Sequence, residues 1–466
     1  MQIPILSGIF ADGSPNFRTS YPKNMIPVPK GTGISEGYLR PGEGIVETGT
    51  GPGVNRGGIN WNGSIYRVMG TKLVEIAQDN TVTEIGDVGS GDRVTFDYGF
   101  TYLAVASGGR LYLYDGTTLT QVTDPDLGTA LDVVWVDGYY MTTDGEFLVV
   151  TDLDDPFAVN PLKYGSSEAD PDPVNSLLKL RNEIYALNRY TIEVFDNVGT
   201  TGFPFQRIAG AQIQKGTVGT HANCVFMDNI AFLGGGFNEA PSIYMGANGS
   251  AQKIATREIE EILQEYTEAE LATAFLEERV DKAHMFLIVH LPRHTLVFDG
   301  AGSQATSQAV WFTLSSTLVG DGMWNACTCI WAYDRWNVCH PTTNQFGYLD
   351  DTISTHWGET IGWEFGTLIV YNNGQGAIFH DIELVSLTGS TAFGVDPTIW
   401  TQYSNDGVTW SAEKPIRAGK TGERNKRLMW LQQGHMRNMR MKRFRGTSDA
   451  HVAVAALEAR VEPLAF

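Results

Sequence analysis

Short strand-like runs recur along this chain at roughly 35 to 55 residue intervals, a spacing typical of repeat architectures. They fall at 65–69, 102–106, 139–142, 184–187, 230–233, 285–289 and 329–333. The clearest unit is GGRLYLYDG at 108–116, followed by TLTQV at 118–122. There Leu111 and Leu113 alternate with Tyr112 and Tyr114, so the two pairs face opposite sides of a strand. Asp115-Gly116 is a hairpin dipeptide. Strand repeats of this length predict propeller blades, six or seven at about 40–50 residues each, although no Trp-Asp or kelch signature marks them.

The chain has 466 residues, enough for one large β-architecture and a smaller domain. Its 52 glycines suit a turn-rich β protein, and 18% charged residues argue against broad disorder. The fold expected is mainly β. It comprises an extended N-terminal arm over 1–50, a propeller-like domain over 51–353, and a C-terminal β-sandwich over 354–466. The Pro- and Gly-rich arm could cross a neighbouring subunit or return to its own domain.

One helix interrupts the strands. Thr267 and Glu270 form a capping-box pair, and Leu271, Ala274 and Phe275 follow at helical spacing. The spacing predicts a helix inserted between blades near 256–281. Two apolar runs, 285–289 and 296–298, then flank a turn at Pro292-Arg293 and predict a buried hairpin. Glu268, Glu277 and Glu278 would lie on the helix's solvent face as candidate subunit contacts.

The stretch EYTEAELATAFLEERVDKAHMFLIVHLPRHTLVFDG at 265–300 resembles the packaged-DNA stabilisation protein family of short-tailed bacteriophages, the tail hub or nozzle. Fainter similarities follow in the same order, among them GYLRPGEGI at 37–45, RGGINWNGSIYRVMGTKL at 56–73 and RLMWLQQGHMR at 427–437. Residues 300–425 match poorly. The resemblance implies a homohexameric ring docked below the portal and its adaptor. It implies contacts to tailspikes or fibres and to the needle or plug. It also implies a part in sealing packaged DNA and in the ejection conduit, within a virion tail assembled in the host cytoplasm.

The formal net charge is −20. Proteins that hold nucleic acid gain affinity when Lys and Arg release phosphate counterions, so this chain as a whole repels DNA. Such acidity suits solubility, or a lumen past which DNA slides without specific binding. Against that background a basic cluster stands out: Arg417, Lys420, Arg424, Lys426, Arg427, Arg437, Arg440, Lys442, Arg443 and Arg445. Arg427, Arg437, Arg440 and Arg443 are candidate contacts to an acidic neighbouring subunit. A solvated strand face is the simpler alternative.

Motifs for chemistry are weak. Ser404-Asn405-Asp406-Gly407-Val408-Thr409-Trp410 falls one residue short of the sialidase Asp box, itself a structural turn. It keeps open an alternative reading as a carbohydrate-binding or sialidase-like propeller. Asp152, Asp154 and Asp155, with Asp170 and Asp172, sit in turn-like stretches that Asp and Pro favour, without EF-hand spacing. Cys327, Cys329, Cys339 and His340 match no common zinc pattern, and His284, His290 and His294 flank a turn. Gly234-Gly235-Gly236 lacks the Lys-Ser/Thr of a phosphate loop. No metal, cofactor or catalytic group is expected. The N-terminus lacks a basic signal-peptide region, and no apolar run reaches 18 residues, so no membrane span is expected.

Overall fold

The computed structural model describes residues 1–11, 16–29, 37–153, 155–168 and 170–464. Among them, seven antiparallel sheets follow one another along the chain. They span 55–87, 95–121, 132–166, 174–207, 216–253, 275–314, and 327–350 completed by Gly44–Thr50. The first strands of successive sheets lie side by side. Asn55–Trp61 touches both Thr95–Tyr98 and Cys327–Ala332, so the sheets close into a ring. This is a seven-bladed propeller.

Six of the seven recurring runs fall on the second strand of a blade. These strands are Ser64–Met69, Leu103–Ser107, Tyr139–Thr143, Glu183–Asn188, Asn229–Gly235 and His284–His290. A second strand is covered on both faces by neighbouring blades and so is apolar without alternation; Leu103–Ser107, for example, is buried throughout. The run at 329–333 instead ends the first strand of blade 7, Cys327–Ala332. Six blades join their first two strands by two-residue turns. Asn62 (φ 52°) with Gly63 (φ 84°), and Asp137 (φ 48°) with Gly138 (φ 93°), supply the left-handed pair that such a hairpin needs.

The first 50 residues return to their own chain. Gly44–Thr50 pairs with Gln345–Asp350 and supplies the fourth strand of blade 7. Gln2–Ile3 pairs with Ala453–Pro463, and Met25–Pro29 and Gly37–Pro41 extend the same sheet. A second sheet holds Gly362–Gly366, Val370–Tyr371, Thr398–Ser404, Lys414–Arg417 and Met439–Thr447. Both ends of the chain thus build the sandwich, whose core joins Ile3, Met25 and Leu39 to Phe379, Ile382, Leu428 and Phe444. The sandwich leans on the outer strand of blade 6: Asn24 N–H donates to the Thr313 carbonyl at 2.9 Å, and Thr313 N–H to that of Pro22 at 2.9 Å.

The expected helix over 256–281 is shorter and broken. Arg257–Leu263 is helical, Glu268–Leu271 makes a single turn, and Phe275–Asp281 is the first strand of blade 6. The capping box does form, with Glu270 accepting from Thr267 N–H at 2.8 Å. Leu271 and Ala274 are buried as helical spacing requires, but the chain then turns and pairs along the whole of His284–His290. That non-local pairing overrides the local pattern. The hairpin His284–His290 with Thr295–Asp299 lies where expected. Among the described residues no helix is long and apolar enough to cross a membrane.

Candidate functional site

The propeller axis is built from first strands whose inner edges have no ladder partner. Acids on them serve as staples between blades. Asp97 of blade 2 accepts from Trp135 N–H of blade 3 at 2.6 Å. Asp132 of blade 3 accepts from Leu177 N–H and Ser176 Oγ of blade 4, both at 2.8 Å. Glu277 of blade 6 accepts from Cys329 N–H of blade 7 at 2.7 Å. Each satisfies a backbone donor that would otherwise be orphaned.

Their environments differ. Burial pushes Asp132 up to about 6, although four hydrogen-bond donors oppose it. Burial also raises Asp97, against the pull of Lys179. For Glu277, burial is outweighed by His290, the Cys329 N–H and Arg93, so its carboxyl stays below the usual range. The raised Asp132 value sets a sign. The folded state binds the proton more tightly than the unfolded chain, so its stabilising contribution is complete below pH 4 and is lost as pH rises through about 6. Asp132→Asn is expected to remove that component, on the order of 2–3 kcal/mol. Urea unfolding of both forms at pH 4 and pH 7.5 checks it; parallel pH profiles would refute it.

Arg93, on the link into blade 2, lies 3.4 Å from the Phe275 ring of blade 6 and donates to Thr328 Oγ1 of blade 7 at 3.2 Å. Blades 2 and 6 are not neighbours in a ring of seven, so this side chain crosses the axis. The side chain therefore obstructs the axis.

The predicted contact residues scatter. Glu268 is exposed on its helical turn and pairs with Arg189 Nε at 2.7 Å. Glu277 and Glu278 are on a strand, not on a helix's solvent face. Glu277 has a side chain only 14% exposed and bonds His290 Nε2 at 2.7 Å, while Glu278 is half-buried and accepts from Met227 N–H at 3.4 Å. Arg427 is exposed and forks onto Glu383 at 2.6 and 2.5 Å. Arg437 is exposed in the turn between Leu428–Met436 and Met439–Thr447. Arg440, expected at a subunit contact, is 1% exposed inside the sandwich. The reason is strand parity: Arg440 and Lys442 share the inward side of their strand with the core residue Phe444. Arg443, of opposite parity, bonds Gln402 Oε1 at 2.6 Å and lines a cleft of about 630 Å³. The cleft lies between the hairpin of Gly8–Ala11 with Phe17–Ser20, Arg257–Leu263, blade 6 and the sandwich, and is lined by both signs of charge, Lys23 and Arg445 with Glu258 and Glu364.

The chemical motifs resolve into structural roles. Asp406 accepts from Val408 and Thr409 N–H and from Ser404 Oγ, which shapes a turn and holds its carboxyl well below the usual range. His284 is tied to Asp299 at 2.7 Å, and His294 to the Tyr266 hydroxyl. Asp152 pairs with Lys163 at 2.8 Å, and Asp172 caps Tyr190 and Thr191 N–H; Asp154 lies outside the described residues. The four cysteines are free thiols, and among the described residues no three His, Cys, Asp or Glu converge as metal ligands.

The family model described as "Bacteriophage P22 Gp10, beta-propeller" matches residues 1–354. The chain belongs to the P22 Gp10 family. A second Gp10 model, described as its β-sandwich, matches residues 362–462. Over 489 aligned residues, 99% of each chain, this Gp10-family protein is 29% identical to the "Tail hub protein gp10" of Salmonella phage P22. Among solved structures, the Pan2 WD40 domain of Neurospora crassa overlaps at TM-score 0.42 with 12% identity, covering 66% of this chain and 94% of that one. The N-terminal domain of Nup159 overlaps at TM-score 0.40 with 8% identity, covering 66% and 95%. The family assignment rests on the Gp10 models and not on these overlaps.

Sequence reasoning left open whether the arm returns to its own domain, and it missed the arginine across the axis. The closing strand had a signal: residues 327–350 supply three strands where every other blade has four or more. Arg93 had none, because its partners lie in blades far apart in sequence.

Proposed function

We propose that this chain is the tail hub subunit of a short-tailed phage virion, and that its work is assembly and gating. The observation that carries this is the near full-length match to the P22 tail hub protein, through both domains. A homohexameric ring would dock below the portal-adaptor complex, help seal packaged DNA, carry tailspikes or fibres, and meet the needle or plug. Two features support it. With Arg93 across the propeller axis, a DNA conduit has to lie between subunits. The acid surplus also lies outside the sandwich: residues 362–462 carry twelve Lys and Arg against ten Asp and Glu, while the whole chain is at −20. An acidic body would line a conduit without retaining DNA, leaving the sandwich free to meet acidic neighbours.

Electron microscopy of the purified chain mixed with its portal-adaptor ring tests this directly. Six-fold rings stacked on the adaptor are the expected result. A monomer that ignores the adaptor and cleaves glycans would establish the carbohydrate reading instead.

Glu268, Arg427 and Arg437 remain candidate subunit contacts, being exposed. Arg437→Glu is expected to weaken ring formation while leaving monomer stability within about 0.5 kcal/mol. Sedimentation and thermal melting of the same sample separate the two. Unchanged assembly would remove Arg437 from the interface.

A further inference from the structure

Phe393 is 98% exposed, a large apolar ring standing in water. The loop that carries it is nonetheless held in place. Gly422 N–H donates to the Gly389 carbonyl at 3.1 Å, Thr388 Oγ1 to that of Glu423 at 2.8 Å, and Thr421 Oγ1 to that of Thr391 at 2.8 Å. These bonds lace the loop after Ala377–Leu387 to the loop before Leu428–Met436. The second loop is basic: residues 417–427 carry five Lys and Arg against one acid, Glu423. Lys420 and Arg424 within it are exposed. An aromatic ring held in position and rimmed by cations is built as an interface anchor, because little freedom is lost when it docks.

A complementary surface lies on blade 3. Residues 124–172 carry twelve Asp and Glu against one cation, Lys163, and so hold more than half of the net charge of −20. The outer strand of the blade, Val159–Ser166, pairs on one side only. Leu162 and Tyr164 point to the same side of it and are 82% and 53% exposed. Asp144 and Glu146 lie just before the neighbouring strand Phe147–Thr151, and Asp152 and Asp155 just after it. An apolar pair flanked by acids thus matches, in kind and in sign, a ring flanked by cations.

Within one chain the two surfaces stand apart. The sandwich leans on blade 6, and beside the Phe393 loop His451 bonds Ser354, just past blade 7, at 2.6 Å. In a ring of seven, blade 3 is three positions from blade 6 and three from blade 7. We propose that Phe393 and its basic rim dock on the outer strand of blade 3 of a second copy of this chain. The proposal rests on the hub reading above, for which it names the surfaces that join one subunit to the next. A contact between unlike surfaces on far sides of the molecule is head-to-tail, and repetition of it closes a ring.

The test uses the full chain with its portal-adaptor ring. With photoreactive benzoylphenylalanine at position 393, irradiation is expected to yield a two-copy product whose cross-linked peptides map to 159–166. Capture of the adaptor, of another region or of nothing overturns the proposal. Phe393→Ser is expected to weaken ring assembly about tenfold or more in sedimentation, with the monomer melt unchanged. Arg424→Glu is expected to weaken it too, and adding Glu146→Lys to restore part of the loss. Natural rings together with undiminished assembly of Phe393→Ser overturn this contact and leave the hub reading standing. A natural chain that never forms rings overturns both.

Discussion

A chain beginning at residue 51 is expected not to fold. Removing residues 1–50 deletes more than an arm. It takes the fourth strand from blade 7 and three strands from a sandwich sheet. It also takes Ile3, Ile5, Met25, Ile26, Leu39 and Ile45, all at most 4% exposed, out of their cores. Full burial of such a side chain is worth about 1.5–3 kcal/mol, so six of them supply about 9–18 kcal/mol. That is comparable to the whole of the about 5–15 kcal/mol by which domains are stable. Circular dichroism and limited proteolysis of the truncated chain check it. A soluble product with a cooperative melt within a few degrees of the full chain would show that the segment is dispensable.

The second large effect concerns the residue just before that closing strand. Glu43 pairs with Arg279 on the first strand of blade 6, with side chains 9% and 4% exposed. Arg40 bonds Asp281 beside them at 2.6 Å. Burial works against the Arg279 charge, and Glu43 and Asp281 outweigh it. Glu43→Gln leaves that charge buried without its closest partner and is expected to cost about 3–5 kcal/mol. The double variant Glu43→Leu with Arg279→Met is expected to recover most of the loss, because it removes both desolvated charges. Urea unfolding of the single and double variants measures both. A single variant within 1 kcal/mol of the natural chain would mean that the pair is solvated.

What was legible in the sequence follows from how local each signal is. Second strands stand out because two neighbouring blades make them apolar throughout, and their hairpins announce themselves by Asn62-Gly63 and Asp137-Gly138. The capping box of Thr267 and Glu270 was equally local. The residues after it were not: Phe275–Asp281 carries a helical echo but is claimed by a partner strand. The basic cluster misled for a different reason. A charge count ignores parity, and alternate residues of Met439–Thr447 face opposite ways, so Arg440 and Arg443 have unrelated roles. Glu277 was misplaced with the helix, and its true place at the axis depends on Cys329 and His290, neither adjacent in sequence.

The closing strand also sets a schedule. Glu47 meets Gln345 across a separation of 298 residues. At about 5–20 residues per second, its partner leaves the ribosome roughly 15–60 s after it does. Throughout that interval the early blades carry an unpaired edge and the ring stays open. The latch therefore forms only on chains translated past residue 350, and a product terminated before that point has no closed propeller.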